Sequence, residues 1–164
     1  MRGQGSEPDA TSYSLAIRAC SKGDAWEQAF EIVEDMRAQD VELDIVSCSA
    51  LLSACEKSKQ WEWALWILVE MKQQGLAPDV ISYGAAISAF EKGGQWEWAL
   101  GMLTCMQAEG VDPDVISYSA VISACEKSKQ WERALGMLAD MKEQRLWPDM
   151  ISYSAAISAC EKGK

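Results

Sequence analysis

The chain has 164 residues, 49% of them hydrophobic and 24% charged, with a net charge of −10 and no histidine. Its apolar residues are spread evenly, which excludes a disordered composition, and no apolar run reaches the ~20 residues of a membrane-spanning helix. The missing histidine removes Ser-His and Cys-His nucleophile schemes and the commonest metal ligand, and the acidity argues against nonspecific nucleic-acid binding.

Read in chain order, the sequence repeats every 35 residues. Pro8-Asp9, Leu43-Asp44, Pro78-Asp79, Pro113-Asp114 and Pro148-Asp149 share one phase. The same phase carries Lys22/Lys57/Lys92/Lys127/Lys162, Trp26/Trp61/Trp96/Trp131 and Met36/Met71/Met106/Met141. A period of this size signals a stacked array of identical units, in which function uses equivalent positions repeatedly. Residues 1–9 read as the tail of a preceding repeat, since Met1, Gly5, Pro8 and Asp9 align with Met71, Gly75, Pro78 and Asp79. Complete repeats are expected at 10–44, 45–79, 80–114 and 115–149, with 150–164 the first helix of a fifth. The chain is therefore expected to be a piece of a longer array.

First helices are expected at 12–22, 47–59, 82–92, 117–129 and 152–164, and second helices at 26–39, 61–74, 96–109 and 131–144. In the third repeat Ser82 is placed as the N-cap. Tyr83, Ala86, Ile87 and Phe90 then form one apolar stripe at helical spacing. Gly93-Gly94 ends that helix. Trp96, Ala99, Leu100, Leu103 and Met106 form a second stripe, closed by Gly110 and Pro113. No β pattern appears, so the fold class is all-α, a solenoid of antiparallel helix-turn-helix units. Ala29, Ala64, Ala99 and Ala134 are expected to let helices approach closely. The recurrent Trp26, Trp61, Trp96 and Trp131 are assigned to the core, and Trp63 and Trp98 to a partly exposed outer patch. Cys20, Cys55, Cys125 and Cys160 share a position that holds Phe90 in the third repeat, and no cysteine forms a CxxC pair with another. Buried, reduced thiols and an intracellular compartment follow.

The charge is not uniform. The first-helix segments carry nine basic residues against four acidic ones, while second helices and turns hold the acidity.

The strings Val80-Ile81-Ser82-Tyr83, Glu91-Lys92-Gly93, Ala99-Leu100, Met106 and Gly110-Val111-Asp112-Pro113-Asp114 resemble the pentatricopeptide repeat, in its plain 35-residue class. The tetratricopeptide repeat, a protein-binding module, is the nearest rival. Its 34-residue period would drift by one residue per repeat, and no drift is seen. The resemblance implies a right-handed superhelix whose first helices line a concave groove. It also implies single-stranded RNA binding at one base per repeat, in mitochondrial or chloroplast RNA processing or stabilisation.

Carried over position by position, the resemblance assigns base reading to Ser14 with Asp44, Ser49 with Asp79, Gly84 with Asp114, Ser119 with Asp149, and to Ser154. It assigns base packing to Thr11, Val46, Ile81, Ile116 and Ile151, and phosphate contact to Lys22, Lys57, Lys92, Lys127 and Lys162. An ionised Asp only accepts hydrogen bonds, and in the family a hydroxyl residue paired with Asp favours guanine. Gly84 has no side chain, so the expected readout is 5′-G-G-n-G. Each assignment has a structural alternative: an Asp ahead of a helix can be a turn or capping residue, and a Lys at a helix C-terminus complements the dipole. No catalytic residue, cofactor, metal ligand, membrane contact or small-molecule substrate is expected. Stacked helices lie about 8–10 Å apart, too far for successive Asp residues to share an ion, and no base stands beside the serines. A protein-interaction scaffold with partners on the outer face is the competing function, and a guide segment for a catalytic domain elsewhere is a third.

Overall fold

In the computed structural model, which describes residues 10–23 and 25–163, the described residues form helices joined by short turns, with no strand among them. Among the described residues they are α1 (Ala10–Lys22), α2 (Trp26–Ala38), α3 (Ile45–Ser58), α4 (Trp61–Gln73), α5 (Val80–Lys92), α6 (Trp96–Ala108), α7 (Val115–Lys127), α8 (Trp131–Glu143) and α9 (Met150–Lys162). Residues 1–9, expected to belong to a preceding repeat, lie outside the described residues.

The first helices begin two residues earlier than their polarity pattern suggested, and the reason is the cap. Ser82 is not the N-cap of α5. Asp79 is, with extended backbone and a side chain that accepts from the Ser82 amide at 2.8 Å. Asp44, Asp114 and Asp149 cap α3, α7 and α9 in the same way. An acidic cap satisfies an orphan amide and complements the helix dipole. Helix ends close through a left-handed residue, glycine at Gly75, Gly94 and Gly110, but Asp40, Lys59, Lys129 and Arg145 at other turns. After each, an amide reaches back to the last helical turn, as in Gln95 N–H to the Phe90 carbonyl at 2.8 Å.

The odd-numbered helices stack directly on one another, and α3, α5 and α7 each pack on their own second helix and on the second helix before it. Consecutive second helices have no such backbone approach. Side chains span the gap, as where Phe30 meets Trp63 at 4.2 Å between ring centroids and Arg37 pairs with Glu70 at 3.1 Å. A tight first-helix layer against a splayed second-helix layer curves the array with the first helices inside.

The core is one continuous strip. Ile17, Leu51, Leu52, Ile87 and Ile122 from first helices meet Met36, Met71, Met106 and Met141 from second helices, with Ala29, Ala64, Ala99 and Ala134 fully buried between them. Cys48, Cys55 and Cys125 are buried, whereas Cys20 and Cys160, on the two outermost first helices, are only half-buried. Burial pushes the Cys48 and Cys55 thiols up to about 12 and the Cys125 thiol to about 11. The recurrent tryptophans border the core rather than fill it, with Trp26, Trp61 and Trp96 packed against its edge. Trp26, Trp61 and Trp96 are half-buried and Trp131 is 39% exposed. Trp61 and Trp131 stand against the turn of the following repeat. A Cβ added to Gly93 would stand 2.6 Å from the Trp61 ring, and one on Gly163 would strike Trp131.

Candidate nucleic-acid interface

The second residue of each odd helix faces solvent on the inner side. Val46, Ile81, Ile116 and Ile151 are 50%, 70%, 68% and 62% exposed, and Thr11 is exposed at the same step. Single exposed apolar residues are ordinary, but a row of β-branched ones at a fixed step is not. Hollows open between successive first helices along this row. One of about 490 Å³ lies between α1 and α3, lined by Val46 and Ser49. Another, of about 340 Å³ between α3 and α5, includes Ile81, Gly84 and Asp114. A third, of about 380 Å³ between α7 and α9, includes Ile151 and Ser154.

Asp114 lines the second of these hollows, and Asp44, Asp79, Asp114 and Asp149 are all capping residues. Oδ1 of Asp79, Asp114 and Asp149 takes every hydrogen bond these carboxylates receive among the described residues, leaving Oδ2 open. Hydrogen bonds from the Ser152 amide and hydroxyl hold the Asp149 carboxyl below the ordinary carboxylate value. Burial pushes Asp44 up, but bonds from Ser47 and Ser14 outweigh it and leave its carboxyl lowered too.

The paired serines are not equivalent. Ser14 and Ser119 are buried, and each touches the carboxylate assigned to it, at 3.2 Å to Asp44 and 3.3 Å to Asp149. Both also meet a serine of the next first helix, Ser14 with Ser47 at 2.8 Å and Ser119 with Ser152 at 2.7 Å. Ser49 is half-buried and bonds back to the Ile45 carbonyl at 2.8 Å rather than to Asp79. Ser154 is exposed. At Gly84 an added Cβ would meet no atom within 4 Å. Of the buried partners Ser47, Ser82, Ser117 and Ser152, the sequence reading had noted only Ser82, as a cap rather than a partner, although one recurs three residues after each of Asp44, Asp79, Asp114 and Asp149.

The five lysines line the C-terminal ends of the first helices, and the array engages most of them. Lys92 pairs with Glu56 at 2.9 Å, Lys127 with Glu91 at 2.6 Å and Lys162 with Glu126 at 2.7 Å. Lys57 donates to the Ser21 carbonyl at 2.9 Å, and Lys22 makes no ion pair among the described residues. Each glutamate belongs to the preceding repeat, so the ladder was visible only when positions were compared across repeats.

The outer face carries a separate hollow of about 280 Å³ lined by Phe30, Val33, Arg37, Trp63 and Trp66. Trp98 is 43% exposed and stacks on Phe90. Among the described residues, no group of His, Cys, Asp or Glu could hold a metal ion, and no helix is long and apolar enough to cross a membrane.

The fold is shared with known proteins. The chain is similar to the pentatricopeptide repeat protein PPR10 in complex with an 18-nt psaJ RNA element, at 25% identity and a TM-score of 0.80. It covers 97% of this chain but only 23% of that one. The crystal structure of PPR10 from maize matches at 28% identity with a TM-score of 0.71, over 96% of this chain and 22% of that one. The PPR domain of Arabidopsis thaliana protein-only RNase P 1, in complex with tRNA, has a TM-score of 0.82 at 19% identity, a likeness of fold covering 96% and 86% of the two chains. No curated relative matches the sequence. The pentatricopeptide repeat domain model matches residues 31–92 and 102–162, and the PPR repeat model matches 11–41 and 81–111. With most of its length matched and its helical pairs stacked as in those structures, the chain belongs to the pentatricopeptide repeat family.

Proposed function

We propose that the chain is a single-stranded RNA-binding segment that takes one base per 35-residue repeat on its inner face, with a bias toward guanine. The observation that carries this reading is the row of exposed Val46, Ile81, Ile116 and Ile151, each beside a hollow or a capping carboxylate. Apolar side chains at such a step suit the flat faces of splayed bases. The similarity to PPR10, crystallised with an RNA element, supports the same ligand class.

Within this reading the Asp carboxylate serves two purposes. One oxygen caps the helix, and the other accepts from the ring N–H and amino group of guanine. Ser14 and Ser119 steady the carboxylate and Ser49 lines one hollow with Ile81, so 5′-G-G-n-G remains the expected readout, with Gly84 indifferent. With few phosphate contacts and a negative envelope, binding is expected to be weak, and salt-sensitive through those phosphate contacts. The segment acts by sequestering RNA or positioning other factors in RNA processing or stabilisation, in a mitochondrion or chloroplast.

Alanine at Ile81 and Ile116 tests the face. Both side chains are solvent-exposed, so stability should hold while affinity for single-stranded RNA falls. Unchanged RNA affinity in the double variant would sink the assignment. A protein scaffold is the second reading, favoured by the aromatic outer hollow and exposed Trp98. Under it, Trp98→Ala disrupts function and Ser49→Ala does not.

A further inference from the structure

The first step of the inner face differs in charge from every later one. Arg18 occupies the position held by Ser53, Ser88, Ser123 and Ser158, and Ser21 occupies the position held by Glu56, Glu91, Glu126 and Glu161. Helix α1 thus presents a guanidinium where its successors present a hydroxyl, and a hydroxyl where they present a carboxylate.

The geometry follows from these two exchanges. Lys92, Lys127 and Lys162 are each engaged by the carboxylate one repeat back. Lys57 looks back to Ser21 and finds a carbonyl oxygen, so its charge is not neutralised there. Arg18, Lys22 and Lys57 all line the hollow of about 490 Å³ between α1 and α3, and no carboxylate of the described residues lines it with them. The next hollow contains Glu56 and Asp114, and the one between α7 and α9 contains Glu126. Arg18 and Lys22 are exposed, and neither is in an ion pair among the described residues.

We infer that the α1–α3 hollow is a phosphate site for single-stranded RNA, with Arg18, Lys22 and Lys57 as its ligands. Arginine meets phosphate oxygens through a two-pronged donor set, and the lysines add point charge. At later steps a phosphate must compete with a glutamate already in place. Phosphate contact is therefore concentrated at the amino-terminal step rather than shared along the groove. This inference rests on the RNA-binding reading and adds where the backbone is anchored.

The test is the salt dependence of RNA binding by the whole chain and by Arg18→Ser and Ser21→Glu. Both substitutions install the residue that later repeats already carry, and circular dichroism checks that each variant is folded. Losing one phosphate contact on a single strand flattens the slope of log K against log salt by about 0.7, which is about 5-fold in affinity at 0.1 M salt. Each variant should show that loss equally for every RNA sequence, and Glu91→Gln, which frees Lys127, should shift affinity the other way. Oligonucleotides with a 5′-phosphate or a 5′-hydroxyl separate the sources. Equal losses on both identify a backbone phosphate, while a loss confined to the phosphorylated strand keeps the site and assigns it the RNA terminus. Wild-type affinity and slope in both variants would overturn the inference and leave the RNA reading standing. If the wild-type chain binds no RNA, inorganic tripolyphosphate is titrated and backbone amide shifts are followed by NMR. Shifts at α1 and α3 that vanish in Arg18→Ser keep the anion site and overturn the RNA reading; their absence overturns both.

Discussion

Replacing Asp79 by alanine and by asparagine separates the two duties of a capping carboxylate. In α5 the Asp79 side chain accepts from the Ser82 amide and hydroxyl, both at 2.8 Å, and Ser82 is completely buried. Alanine removes the cap, which costs about 1 kcal/mol. It also strands a buried hydroxyl, which costs about 1–3 kcal/mol more. The expected loss is about 2–4 kcal/mol, or roughly 4–16 °C in Tm for a chain of this size. Asparagine keeps an oxygen for the cap and should cost only a few tenths of a kcal/mol, roughly as ranked among N-caps. Thermal unfolding by circular dichroism under one buffer condition measures both. Base preference at the second RNA position, measured on the same two proteins, should be lost in Asp79→Asn although its stability is retained. If asparagine destabilises as much as alanine, the cap does not depend on that oxygen and the argument fails. If asparagine keeps the guanine preference, the carboxylate is a capping residue and nothing more.

Other outcomes follow from the same geometry. A Cβ at Gly84 meets no atom within 4 Å, so Gly84→Ser should be accommodated and give the third repeat the discrimination it lacks, read as a new guanine preference at the third RNA position. Cys48, Cys55 and Cys125, with thiols raised to about 12, about 12 and about 11, should resist alkylation at pH 8 in the native state and react on unfolding, as mass spectrometry would show. Because the folded Asp149 carboxyl is lowered, its contribution is fully present above the unfolded value near 3.9 and disappears as pH falls through the lower folded value. Urea unfolding of wild type and Asp149→Asn should therefore differ at pH 6 and converge toward pH 2.

Much of this architecture was legible in the sequence, because apolar spacing and turn glycines act within one repeat. Tyr83, Ile87 and Phe90 fall on one stripe and are all fully buried, and Gly94 and Gly110 take the left-handed turns expected of them. What escaped the reading acts between repeats. Ser82 looked like a cap because it is the polar residue before an apolar stripe, yet Asp79 has the longer reach and the extended backbone that capping needs. Trp61 looked like core because it lies at helical spacing, yet its ring covers Gly93 of the next unit. The lysines looked free because the glutamates that hold them stand one repeat earlier, 36 residues back in the pair Lys92–Glu56.

Binding of short single-stranded RNAs at low salt, followed by fluorescence anisotropy, tests the central claim most directly. Probes carrying GGAG are compared with all-A, all-U and all-C counterparts in an unstructured context. Preferential binding to GGAG, abolished when Asp79 and Asp149 become Asn in a folded protein, is the expected result. Equal failure with every RNA by a folded, monomeric chain would contradict the account.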